Sequence, residues 1–219
     1  VPEVTLDELK TAPVTAIVSL GEACGVAHNL RRHFNFKSAY PFDWWVTPQK
    51  AVTGLLARPD IDYLYDPALL TVPESRATVT HAELGLLFHH EFPRDWKTPG
   101  GPISQDYLDH IEAPKARTRY LLDKFLKLDR VDARVLFVRM LQAGEDPTAV
   151  RDALASRFGR ATWAFAAIAP IRSDPSFGWQ GDAEAWNRVL SDIDISSEES
   201  VGAPFNHVEP GLALYQDKE

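Results

Sequence analysis

Only one cysteine and one methionine occur among the 219 residues. A lone thiol cannot close an internal disulfide, so nothing argues for an oxidising compartment, and a cytoplasmic location is the expectation. No apolar run approaches the roughly 18 residues that a membrane-spanning helix needs. The start, VPEVTLDELK, also lacks the basic and apolar regions of a signal peptide, so no membrane partner is expected. Excess positive charge is missing as well. The net charge of −8 would repel a phosphate backbone, so no nucleic-acid partner is expected. Arg31, Arg32 and Lys37 form one small basic cluster and Lys115, Arg117 and Arg119 another; each reads as a solvated helix face. There is no internal repeat, heptad run or low-complexity tract. The nucleotide-binding glycine fingerprints and HExxH are absent, so neither a cofactor nor a metal site is expected.

What is present suits a globular α/β protein: 45% hydrophobic and 25% charged residues in a chain long enough for one substantial core. One domain over residues 1–219 is expected. Three short apolar runs read as buried strands: VTAIVSL from Val14, ARVLFVRM from Ala133 and ATWAFAAIAP from Ala161. After the first, Ala23, Ala27, Leu30 and Phe34 recur at helical spacing. Further helices are expected from about Pro48 with Thr47 as N-cap, over 104–128 with a break or kink at Pro114, over 147–158 opened by Pro147, and over 182–191. In the 104–128 helix Tyr107, Ile111, Tyr120, Leu121, Phe125 and Leu128 are the candidate buried positions. Residues 60–75 read as an irregular surface segment, and 77–92 as two short strands about a turn at 83–85. PRDWKTPGGPI breaks regular structure, and the acidic, Ser-rich SDIDISSEES leads to the tail. Strands separated by helices predict a three-layer α/β sandwich with a mainly parallel central sheet.

The single thiol, Cys24, falls where the first strand turns into the first long helix. A helix N-terminus offers unpaired N–H groups and a positive dipole end, which favour thiolate over thiol. Gly21 and Gly25 would let a substrate carbonyl approach backbone N–H groups, so Ser19, Gly21, Glu22 and Gly25 are candidate ligand-binding positions. The plain alternative is a small buried hydrophobe. A nucleophilic cysteine needs a base. His28 lies four residues on, and His89 and His90 end an apolar run; were that run a regular strand, only one of the two would face the site. His207, in FNHVEP near the C-terminus, is a further candidate. In AYPFDWW, Asp43 stands among aromatics, where it would orient a histidine or cap a turn, while Trp44 and Trp45 are candidate ligand contacts or core.

The combination VSLGEAC, YPFDWWVT and FHHEFP, followed by the basic KARTRYLLDKF and the strand VLFVRM, resembles a bacterial family described as domain of unknown function 1796, papain-like cysteine peptidases. The resemblance runs over about residues 14–190. It implies Cys24, Asp43 and His90 as the catalytic set, with Glu91 and Phe92 completing the histidine motif; His89 beside His90 leaves the choice of imidazole open. The expected function is a thiol-dependent hydrolase or acyl-transfer enzyme acting on a small-molecule or peptide-like amide, ester or thioester. Two other readings stand beside it: a noncatalytic domain for an anionic or sugar-like ligand, and an enzyme of glycosyl or phosphoryl transfer. The sequence leaves the oligomeric state open.

Overall fold

Three apolar runs pair side by side in a computed structural model of the chain, which describes residues 3–95, 101–171 and 175–196. Strands β1 (Ala16–Ser19), β5 (Arg134–Met140) and β6 (Thr162–Ile168) form a parallel sheet in the order β1-β5-β6. Ile17 pairs with Leu136, and Leu136 with Ala164. Alternation along the strands then sends side chains to opposite faces. Ile17, Leu136, Val138, Ala164 and Ala166 share one buried cluster with residues of α1 (Leu6–Leu9), α2 (Cys24–Phe34) and α7 (Ala183–Ser191). Val18, Val135, Phe137, Trp163 and Phe165 belong to another, with α3 (Gln49–Ala57), α5 (Glu112–Leu126) and α6 (Pro147–Arg157). The molecule is thus mixed α/β, with apolar packing on both faces of a parallel sheet. No helix among the described residues is long and apolar enough to cross a membrane.

A second, antiparallel sheet joins β2 (Leu70–Thr71), β3 (Val79–His81) and β4 (Leu87–Phe88). The last two were expected. The first was not, nor was the helical turn α4 (Ile61–Leu64), which makes the 60–75 segment more regular than its composition suggests. Asp60 explains the turn: its carboxylate accepts the N–H groups of Asp62 and Tyr63. β4 is also shorter than expected. It stops at Phe88, so His89 and His90 follow the strand and strict alternation does not govern them.

Local chemistry accounts for the other differences. Pro48, not Thr47, flanks the start of α3; the Thr47 hydroxyl donates to Trp45 O at 3.5 Å, and its N–H donates to Glu22 O at 2.8 Å. Pro114 lies in the first turn of α5, where a missing N–H breaks no intrahelical bond, so the helix runs unbroken to Leu126 and a separate 3-10 turn (Tyr107–His110) precedes it. Its inward stripe is Pro114, Thr118, Leu122 and Phe125. Tyr120, expected inside, is 67% exposed because it lies off that stripe. Asp146 and Asp182 cap α6 and α7 through their side chains.

Candidate functional site

The carboxyl end of β1 opens into a turn held from three sides. Gly21 adopts φ of 79°, the left-handed region that favours glycine, and a Cβ there would lie 2.3 Å from Thr47 Oγ1. Its N–H donates to Ser19 Oγ at 3.2 Å, and its carbonyl accepts from the Met140 N–H at 3.3 Å. Glu22 ties the turn to Thr47 through its own carbonyl, while its Oε1 accepts from Gln142 Nε2 at 3.4 Å. Cys24 is then the first residue of α2, partly exposed, with no side chain capping the helix start.

Along α2, Cys24, His28 and Arg31 stand at i, i+4 and i+7, one stripe beside the core-facing one. A 3-10 turn at 175–180 lies against its first half. The Trp179 ring meets His28 edge-on at 5.1 Å between centroids, and the Trp179 carbonyl takes the place a side chain at Gly25 would need, 2.7 Å from an ideal Cβ. Asn29 secures the contact by donating from Nδ2 to Gln180 O at 2.7 Å and to Gly25 O at 2.9 Å.

The aromatic loop meets the far end of this stripe. Asp43 is buried, and its Oδ2 accepts from the Arg31 guanidinium and, at 2.8 Å, from the Tyr40 N–H. It therefore caps the turn and pairs with arginine, and among the described residues its hydrogen bonds come from Arg31 and Tyr40. Burial pushes the Asp43 carboxyl upward, and Arg31, Tyr40 N–H and Lys124 only partly offset this. The same guanidinium stacks over Trp44 at 5.5 Å, and Trp44 in turn meets His90 edge-on at 6.2 Å. Arg31 thus lies inside the molecule, not on a solvated face. The other basic cluster is paired too: Lys115 reaches Asp62 at 2.8 Å, and Arg117 reaches Glu91 at 3.6 Å.

Trp45 is a core residue at 1% exposure, wedged between Phe42 and Phe88, and its Nε1–H donates to Glu91 Oε1 at 2.8 Å. Of the two indoles, Trp44 alone is partly exposed. Glu91 also accepts from Tyr65 OH, whose oxygen lies 2.7 Å from Thr118 Oγ1. Burial raises the Glu91 carboxyl and holds the Tyr65 phenol well above its usual range. His89, whose ring centroid is 6.3 Å from that of His90, is pushed down, first by burial and then by Arg94.

Comparison with protein-family models, curated proteins and solved structures finds no match. The site therefore rests on its geometry. Ser19, Gly21, Glu22, Cys24 and Gly25 come together at one turn; Asp43 and Trp44 meet Arg31, two helical turns along α2, and His90 packs against the Trp44 ring. His207 lies outside the described residues, as do 96–100 of the Pro- and Gly-rich loop and the tail from 197. Among the described residues no group of three His, Cys, Asp or Glu side chains could hold a metal ion. Sequence reasoning missed the Arg139–Glu145 pair beneath the turn and the Trp179 contact. An arginine inside the apolar run VLFVRM was the one available signal for the former.

Proposed function

We propose that the protein is a thiol-dependent hydrolase or acyl-transfer enzyme, with Cys24 as nucleophile, acting on a small-molecule or peptide-like amide, ester or thioester. The observation that carries this reading is a partly exposed thiol at the first position of an 11-residue helix, directly after a parallel strand. Helix N–H groups favour the thiolate there, and the carboxyl ends of parallel strands are where α/β proteins present their ligand crevices.

Cys24 Sγ attacks the carbonyl carbon, and the thiol proton passes to an imidazole. His90 fills that role as the family resemblance implies, with His89 beside it and His28 one turn from Cys24 as the other imidazoles to test. Collapse of the tetrahedral adduct breaks the bond to the leaving group, which takes the proton and departs. Water or an acceptor nucleophile then attacks the thioester and releases Cys24. N–H groups about Gly21 to Gly25 stabilise the oxyanion. Asp43 acts on this set through Arg31 and Trp44. The apolar packing on both sheet faces supports a three-layer sandwich within a single domain, and the single cysteine suits a reducing, cytoplasmic setting.

The partly exposed Trp44 and the 40% exposed Trp179 favour a second reading, a noncatalytic pocket for an anionic or sugar-like ligand. The pH dependence of iodoacetamide alkylation separates the two. An activated thiol alkylates in the native protein with a midpoint well below about 8.5, and His90→Ala, His89→Ala or His28→Ala shifts that midpoint if the altered residue is the base. Alkylation that waits for unfolding makes Cys24 a packing residue and leaves the binding domain.

A further inference from the structure

Beneath the turn that carries Cys24 lies an arginine with no exposure to solvent. Arg139 occupies the next-to-last position of β5, and its side chain is 0% exposed. A cation in that position must have every donor satisfied nearby. Its Nη1 donates to Leu20 O at 2.7 Å and its Nη2 to Thr47 O at 3.0 Å. Nε reaches Glu145 Oε2 at 3.0 Å, and Nη2 reaches Glu145 Oε1 at 2.5 Å. Glu145 is itself committed twice more, accepting from the Gln49 N–H and the Gln142 N–H, each at 3.2 Å.

One planar guanidinium therefore ties together the end of β1, the segment before α3 and the loop after β5. A Cβ on Gly21 would stand 3.7 Å from Nη1, so the group lies directly against that turn. A lysine offers a point charge and could not reproduce the fork that reaches both carbonyls and both carboxylate oxygens. The direction of the Leu20 and Thr47 carbonyls decides how Gly21, Glu22 and Ala23 run into the helix, and hence where the Cys24 thiol sits relative to the first-turn N–H groups.

We infer that Arg139 and Glu145 are positioning residues for the Cys24 nucleophile, setting the geometry of the turn that presents the thiol. This rests on the reading of Cys24 as the nucleophile. The pair does not touch the reacting atoms.

The test follows the midpoint of iodoacetamide alkylation of Cys24 against pH in the full chain, for the wild type, Arg139→Lys and Glu145→Gln, with thermal melting alongside. Val150→Ala, a cavity in the buried face of α6, serves as a destabilised control. The expected result is a midpoint raised by about one pH unit in both pair variants, with alkylation at neutral pH about tenfold slower, and an unchanged midpoint in Val150→Ala. Glu145→Gln decides the matter if Arg139→Lys does not fold, because it keeps one carbonyl acceptor and nearly the same shape. An activated wild-type thiol whose midpoint stays fixed in folded Glu145→Gln would overturn this inference alone. A wild-type thiol that is not activated would overturn the nucleophile reading and this inference with it.

Discussion

The faces of the parallel sheet and the segments that carry the candidate site are built on opposite chemistry. On the faces, Ile17, Leu136, Phe137, Trp163 and their neighbours bury carbon against carbon, and the helices over them need only present apolar stripes. In the segments that carry the site, charge goes inside: Arg139 with Glu145 at the carboxyl edge, Arg31 with Asp43 where α2 meets the aromatic loop, and Glu91 among Trp45, Tyr65 and Arg117. Buried ion pairs are poor sources of stability, since desolvation cancels much of their attraction, but they fix direction in a way that apolar contacts do not. Each of these three groups lies next to a segment that carries a candidate site residue. The faces hold the fold together, and the buried charges of the site segments aim side chains.

The largest effects come from breaking either kind of packing, and their consequences should differ. Phe137→Ala removes a fully buried ring that contacts Phe125, Phe158 and Trp163. It should cost about 3–5 kcal/mol while leaving the alkylation midpoint of Cys24 in the folded fraction unchanged. Asp43→Ala should cost a similar amount, about 3–5 kcal/mol, because it strands the Arg31 guanidinium in the interior. Unlike Phe137→Ala, it should also disturb Trp44 and His90, which are reached through Arg31. Chemical denaturation gives the first quantity, and the indole fluorescence of the folded state together with the His90 ring signals gives the second. Equal disturbance of the site by both variants would erase the distinction between sheet faces and site segments.

The two regions also differ in how well they can be read from the sequence. Strands β1, β5 and β6 were legible because a buried strand is a short apolar run, a property of neighbouring residues. Cys24 at the helix start was legible for the same reason, since the strand, the glycines and the helical spacing are all local. The buried charge pairs were not. Arg31 finds Asp43 12 positions away, and Arg139 reaches Leu20 O across 119. Nothing at either end of such a bond marks its partner. Asp43 illustrates the limit: aromatic neighbours suggested a buried carboxylate, and it is buried, but which cation meets it depends on how α2 packs against the 3-10 turn Pro41–Trp44. The Trp45 indole was ambiguous between core and ligand contact until the short β4 and the segment after it placed Phe88 and Glu91 around it.

A smaller effect than these is expected at Gly21, where backbone and packing coincide. Its φ of 79° strains any side chain, and the Thr47 hydroxyl occupies the space a methyl group would need. Gly21→Ala should cost on the order of 1–3 kcal/mol. Thr47 would have to move, and with it the hydrogen bond to Glu22 O, so the variant should also slow Cys24 alkylation. Paired with Thr47→Ser, which keeps the hydroxyl and removes only the methyl, it sharpens the comparison. Loss of reactivity in Gly21→Ala alone assigns the effect to the turn's conformation.

The smallest effect is a change of slope with pH, and its sign separates the buried carboxylates from the partly buried imidazole of His89. Burial raises Glu91 above its ordinary value of 4.5. Between that value and the raised one, the native state holds more protons than the unfolded chain, so stability falls as pH rises through the window. Asp43 acts in the same direction from 3.8. His89 is the reverse: held below its ordinary 6.5, it binds fewer protons in the native state than in the unfolded one, and its contribution is lost as pH falls. Glu91→Gln removes one falling component and leaves the rising one. Denaturation at successive pH values between about 4 and 7 should show the stability of the variant relative to the wild type improving toward neutral pH. A constant difference across that range would mean that Glu91 titrates alike in the folded and unfolded chains, and that its charge is solvated after all.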